Sequence, residues 1–256
     1  MKNTRKPLIA GNWKMNGTRN SVDQLLWAIK SGAVDMHHVD IAVFPPAIFL
    51  AQTEQVLQGT SIAWGGQNFH FKPFGAFTGE LSSGMLCEFG CHYVLVGHSE
   101  RRALFGETDQ IIALKCQMAL QTGLTPIICV GETLEERNDH LTYQILRQQL
   151  EVIFSLSDET NHLHQLVIAY EPVWAIGTGL TAEPEMAQDV HAKIREWVAE
   201  YDEKAARGLR ILYGGSLKKE NAQFLLSMPD IDGGLIGGAA LNATEFLDIA
   251  RSCNAP

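Results

Sequence analysis

No apolar stretch in this chain reaches the roughly 18 residues that a membrane-spanning helix needs. No basic run exceeds two or three residues, and the net charge is −9. The first absence excludes a transmembrane helix. The second argues against a nucleic-acid binder, which needs a concentrated positive footprint. An anionic small ligand stays open, because backbone N–H groups and one lysine can hold a phosphate in an acidic protein. Cysteine is scarce. The five residues Cys87, Cys91, Cys116, Cys129 and Cys253 show no metal-type double pairing. Cys87 and Cys91 stand i,i+4 in an expected helix with His92 beside them. Buried, reduced thiols are the expected state. The basic start, Met1 to Lys6, leads only into Pro7-Leu8-Ile9-Ala10-Gly11, too short an apolar segment for a signal peptide. A cytosolic protein is expected. Linkers, low-complexity tracts and composition breaks are lacking as well, so one domain over residues 1–256 is expected.

What is present is a rhythm. Eight short apolar runs recur about every thirty residues: Leu8–Asn12, Ile41–Phe44, Ile62–Gly65, Tyr93–Gly97, Pro126–Val130, Leu166–Glu171, Arg210–Tyr213 and Gly234–Gly237. Most are continuous rather than alternating, as parallel strands buried on both faces require. Helical patterns lie between them. Ser21-Val22-Asp23-Gln24 resembles a capping box, Thr108–Leu120 is amphipathic, and Glu183–Glu200 carries Pro184 in its first turn. Strand–helix alternation implies parallel crossovers, and eight units close a barrel. An open doubly wound sheet would normally show a Gly-rich dinucleotide turn after its first strand. The turn here is Gly11-Asn12-Trp13-Lys14-Met15-Asn16-Gly17. The expected fold is therefore α/β, a single-domain (β/α)8 barrel.

The polar residues that end the apolar runs would then gather at the rim where such barrels do chemistry. Glu171 precedes Pro172, which restricts it to extended backbone and aims it outward. A carboxylate against apolar walls is a stronger base, though a salt-bridged strand end would read the same way. His98 opens Ser99-Glu100-Arg101-Arg102, which reads as a first helical turn, where the helix dipole favours neutral imidazole. A capping histidine is the plainer alternative. Lys14, flanked by Trp13 and Met15, either enters a pocket or lies along the surface. Asn12 either donates to an oxyanion or stabilises a turn. Gly214-Gly215-Ser216 and Gly237-Gly238 follow the last two strands, where barrels commonly hold phosphate, but tight turns use the same residues. Two connections stand out. Residues 67–80 hold Phe69, Phe71, Phe74 and Phe77, which must pack on their own barrel or on a partner. Residues 172–182 place Gly177 and Gly179 among Val173, Trp174 and Ile176, a composition suited to a closing lid.

Seven segments resemble the triosephosphate isomerase family. They are Gly11–Gly17, Gly75–Glu80, Val96–Arg102, Cys129–Glu132, Ala169–Gly179, Tyr213–Ser216 and Gly237–Ala239, in order along the whole chain. The resemblance implies interconversion of dihydroxyacetone phosphate and D-glyceraldehyde 3-phosphate through an enediolate, a step of glycolysis and gluconeogenesis. It implies Glu171 as proton-shuttling base and His98 as neutral electrophile. Lys14 and Asn12 would stabilise substrate and oxyanion, and Gly177, Ser216, Gly237 and Gly238 would grip the phosphate. Glu100 resembles a family residue near Lys14. The family is itself the standard example of that base, that histidine and that closing loop, so these roles come with the resemblance and not from spacing. It further implies a homodimer through loop 67–80, with Thr78 near the neighbour's Asn12 and His98. No metal or organic cofactor is expected, since preorganised donors polarise the carbonyl. Two positions depart from the family pattern: Leu180 where a lysine is common, and Ala240 where a serine is usual. A Schiff-base aldolase and a silent sugar-phosphate binder are the rivals. Retention of Glu171 and His98 speaks against the second.

Overall fold

The computed structural model describes residues 5–155, 162–175 and 182–253. Eight parallel strands close in sequential order: β1 (Leu8–Asn12), β2 (Asp40–Phe44), β3 (Ala63–Gly66), β4 (Tyr93–Val96), β5 (Thr125–Val130), β6 (Val167–Tyr170), β7 (Arg210–Tyr213) and β8 (Gly233–Ile236), with β8 returning to β1. The expected barrel is present. Helices α1 (Arg19–Gly32), α2 (Leu50–Leu57), α3 (Ser83–Glu88), α4 (Ser99–Phe105), α5 (Asp109–Gln121), α6 (Leu134–Asn138), α7 (Thr142–Ser155), α8 (Pro184–Tyr201), α9 (Glu203–Gly208), α10 (Lys219–Leu226) and α11 (Ala243–Arg251) surround it. Among the described residues no helix is long and apolar enough to cross a membrane.

The strands read as continuous apolar runs because each feeds two cores. Leu8, Ala10, Phe44, Leu95, Ile127, Cys129, Ala169 and Leu212 pack together inside the barrel. Ile9, Val43, Val94, Ile128, Ile168, Tyr170, Ile211 and Tyr213 belong to the larger cluster shared with the helices. The period-2 alternation of side chains survives, but both faces are dry.

Several boundaries need correction. The third and eighth strands each begin and end one residue away from the expected span, and β6 begins and ends one residue inside its expected span. Glu171 and Gly97 lie just beyond their strands. The expected capping box at Ser21 lies one turn earlier. Thr18 is the N-cap, its hydroxyl accepting from the Ser21 N–H, while the Ser21 hydroxyl accepts from the Thr18 N–H. Ser21 is thus the third helical residue, playing the part usually taken by Glu or Gln. Thr108 caps α5, and Pro184 opens α8 at the position where its missing N–H costs nothing. Cys87 and Cys91 do not share a helix, since α3 ends at Glu88. Cys91, Cys116, Cys129 and Cys253 are buried, Cys87 is half-buried, and all five are free.

Candidate active site

The carboxyl ends of β1, β4, β6, β7 and β8 frame a cavity of about 740 Å3, lined by Asn12, Lys14, His98, Glu171, Ser216, Gly237 and Gly238 among others. That size suits a small ligand. The structure thus brings together every expected site residue except Gly177. That residue, with Gly179, Leu180 and the middle of the expected lid, lies outside the described residues.

Glu171 follows β6 directly and is 2% exposed. Its backbone N–H continues the barrel ladder by donating to the Val130 carbonyl (2.7 Å). One carboxylate oxygen accepts from the Ser99 N–H at 2.9 Å, and the other lies 3.1 Å from His98 Nε2. His98 is the N-cap of α4, with its Nδ1 accepting from the Glu100 N–H at 3.2 Å. A nitrogen that accepts carries no proton, so this bond selects the neutral tautomer with hydrogen on Nε2. The plainer reading of His98 as a cap and the chemical reading are therefore the same geometry: capping through Nδ1 presents Nε2–H to the cavity.

Lys14 has φ +52°, a left-handed backbone unusual for a residue with a side chain. Three contacts hold it there. Asn12 Oδ1 accepts from its N–H (3.0 Å), Gln67 Nε2 donates to its carbonyl (2.9 Å), and its Nζ meets Glu100 Oε1 at 2.6 Å. Gln67 also donates to the Phe44 carbonyl, tying the ends of β1, β2 and β3 together. Gln67 is a site residue that no motif marks. Its position directly after β3 is the signal that points to it.

The glycines after β7 are also closely approached by protein groups. A Cβ on Gly214 would stand 2.8 Å from Glu171 Cγ, and one on Gly215 would stand 2.3 Å from the Tyr213 hydroxyl. They leave room for these protein groups while also lining the cavity. A Cβ at Gly238, by contrast, would meet nothing within 4 Å, so its space is open to a ligand. Ser216 sits beside these glycines, with its carbonyl held by Asn221 Nδ2 at 3.0 Å. Gly238 opens a 3-10 turn through Leu241, whose backbone N–H groups begin at the cavity edge. Ala240 is fully buried against Phe246 and Gly11, so the departure there lies behind the cavity wall.

Below Glu171, burial and the Glu171 charge push the Cys129 thiol well above its ordinary range, which makes it an unreactive wall. Glu132 is fully buried and accepts from the Tyr170 hydroxyl and Trp174 Nε1, both at 3.1 Å, while Arg137 approaches at 3.3 Å. Burial and the neighbouring Glu132 raise Tyr170, keeping it a neutral donor.

A carboxylate, an imidazole and a lysine converge on one cavity, and the family model described as triosephosphate isomerase matches residues 7–253. The chain belongs to the triosephosphate isomerase family. Relatives carrying that name include one from Coxiella burnetii, 49% identical over 250 residues and covering 98% of both chains. Another, from Nitrosococcus oceani, is 51% identical over 97% of this chain and 99% of its own. A third, from Herminiimonas arsenicoxydans, is 52% identical over the same shares.

Proposed function

We propose that this chain interconverts dihydroxyacetone phosphate and D-glyceraldehyde 3-phosphate through an enediolate, as one barrel domain over residues 1–256 acting in the cytoplasm. The observation that carries the reading is the 3.1 Å contact between Glu171 and His98 Nε2 beside Lys14 and Asn12.

Glu171 removes a proton from the carbon next to the carbonyl and returns it to the neighbouring carbon. Before substrate arrives both of its oxygens are occupied, one by Ser99 N–H and one by His98. A carbonyl oxygen that takes over the His98 Nε2–H bond polarises the substrate and at the same time releases the carboxylate oxygen. One exchange of partner thus prepares acid and base together. Lys14 and the Asn12 amide stabilise the negative oxygen and the phosphate. Ser216, Gly237, Gly238 and Gly177 hold the phosphate, and residues 172–182 close over it. Closure keeps water from the enediolate, which would otherwise break its C–O bond and expel inorganic phosphate, leaving methylglyoxal.

Two copies pair through loop 67–80. Phe69 is buried and Phe71 half-buried against their own barrel, but Phe74 is 85% exposed. Met15 and Ile48, on the loops after β1 and β2, are 96% and 83% exposed. Gln67 joins the roots of these three loops, and each carries an exposed large apolar side chain that pairing would cover. Thr78 is the residue offered to the neighbour's site.

A dehydrogenase-coupled assay started from either triose phosphate tests the activity. Turnover in both directions is expected. Trapping of a substrate adduct by borohydride, with no isomerisation, would favour a lysine aldolase instead.

A further inference from the structure

The chemistry above makes no use of His191, yet it is fully buried on α8 with Nε2 lacking a hydrogen-bond partner among the described residues. An apolar residue of similar size would fill the space without stranding a polar atom. Its surroundings supply a reason for the ring. Tyr170 and Tyr213 are register partners on β6 and β7. The His191 ring lies against both, with centroids 5.8 Å from Tyr170 at 85° and 6.5 Å from Tyr213 at 33°. Nδ1 lies 3.3 Å from the Asp230 carbonyl, which fixes the plane of the ring.

Each tyrosine holds one side of the segment 172–182. Tyr170 donates to Glu132, whose carboxylate also receives Trp174 Nε1 and whose carbonyl accepts from the Val173 N–H at 3.1 Å. The Tyr213 hydroxyl accepts from the Ala182 N–H at 3.3 Å. Gly215 leaves that hydroxyl its path. We propose that His191 is a positioning residue: a ring of fixed plane that sets the separation of Tyr170 and Tyr213, and so couples the two ends of the lid. The functional half of this statement rests on the lid reading above. The geometric half does not.

Burial holds His191 neutral, pushed down to about 4 against the pull of Asp232 and Asp230 and with the help of Arg195. It therefore acts as a shaped ring and not as a charge. Removing the ring should loosen Trp174 and Ala182 together, although one is tied to Glu132 and the other to the Tyr213 hydroxyl.

The test is hydrogen exchange by NMR at the Trp174 indole N–H and the Ala182 amide in His191→Ala, His191→Leu and His191→Phe, with phosphate release per isomerisation measured on the same samples. In His191→Ala both sites should exchange roughly tenfold faster, the scale of losing one good hydrogen bond, while the Ser99 amide is unchanged. His191→Leu keeps the volume without a ring and should behave like His191→Ala. His191→Phe keeps a ring and should restore slow exchange at both sites. Phosphate release should rise several-fold in the first two variants and return in the third. Loosening of one end alone, or rescue by leucine as good as by phenylalanine, overturns the proposal. Loosening of both ends with unchanged phosphate release upholds the spacing and overturns the lid reading. Should His191→Ala not fold, the leucine and phenylalanine variants decide the matter by themselves.

Discussion

Glu171 and Gly214 show how narrow the tolerance is at single residues. A Cβ at Gly214 would meet Glu171 Cγ at 2.8 Å and the Tyr170 carbonyl at 3.1 Å. The carbonyl belongs to β6 and cannot yield, so the carboxylate must. Gly214→Ala should displace it by about 1 Å and lower kcat on the order of 10²-fold, with substrate affinity changed little. Steady-state kinetics check this, and a KM effect without a kcat effect would contradict it. His191 gives a second residue-scale expectation. Burial holds it near 4 in the native protein, against 6.5 ordinarily. As pH falls below about 6.5 the unfolded chain takes up this proton and the native chain does not until about 4. Stability from this group is therefore complete above the first value and declines toward the second, by on the order of 3 kcal/mol. His191→Phe should flatten that decline in urea unfolding curves taken between about pH 7 and about pH 4.5. An undiminished slope would show that another group titrates there. Residues at strand ends were legible in the sequence because a closed barrel gathers them whatever the loops do, which is how Asn12, Lys14, His98 and Glu171 were found. Gln67 obeys the same rule but is an uncharged amide whose work is to hold two carbonyls, which composition does not reveal. Gly214 and Gly215 line the cavity, but their closeness to Glu171 and to the Tyr213 hydroxyl was not legible, because the space a glycine leaves can serve a protein group as well as a ligand.

Elements carry the next expectations. Loop 67–80 buries Phe69 yet presents Phe74 to solvent. If two copies pair through this loop as proposed, Phe74→Asp would put a charge into the contact and should yield a folded monomer that has lost most activity. Sedimentation velocity, circular dichroism and turnover on one preparation would check it. A fully active monomer would mean the loop serves only its own barrel. Deleting Ile176-Gly177-Thr178 should raise inorganic phosphate release relative to isomerised product, because an open site admits water to the enediolate. Equal ratios in deletion and parent would remove the lid role. Strand identities were readable from apolar runs, but their ends were not. Ladder hydrogen bonds decide those, and Glu171, although it still donates to Val130, has already left the strand. The cap of α1 was misplaced for a related reason. Thr18 and Ser21 are equally good capping types, and only the path of the chain chooses between them.

At the scale of the molecule, two dry layers fix the barrel and the barrel fixes the site. Strand ends β1, β4, β6, β7 and β8 lie far apart in sequence and meet only because β8 closes on β1. The central claim is that this closure delivers a carboxylate that moves a proton between adjacent substrate carbons. The most direct measurement is the fate of that proton. Dihydroxyacetone phosphate is turned over in deuterium oxide by the parent chain and by Glu171→Gln, with NMR of the products. The account predicts D-glyceraldehyde 3-phosphate carrying solvent deuterium at C2 from the parent. It predicts loss of both isomerisation and exchange, by at least roughly 10³-fold, from a variant that still binds substrate. Deuterium incorporation by Glu171→Gln near the parent rate would contradict it.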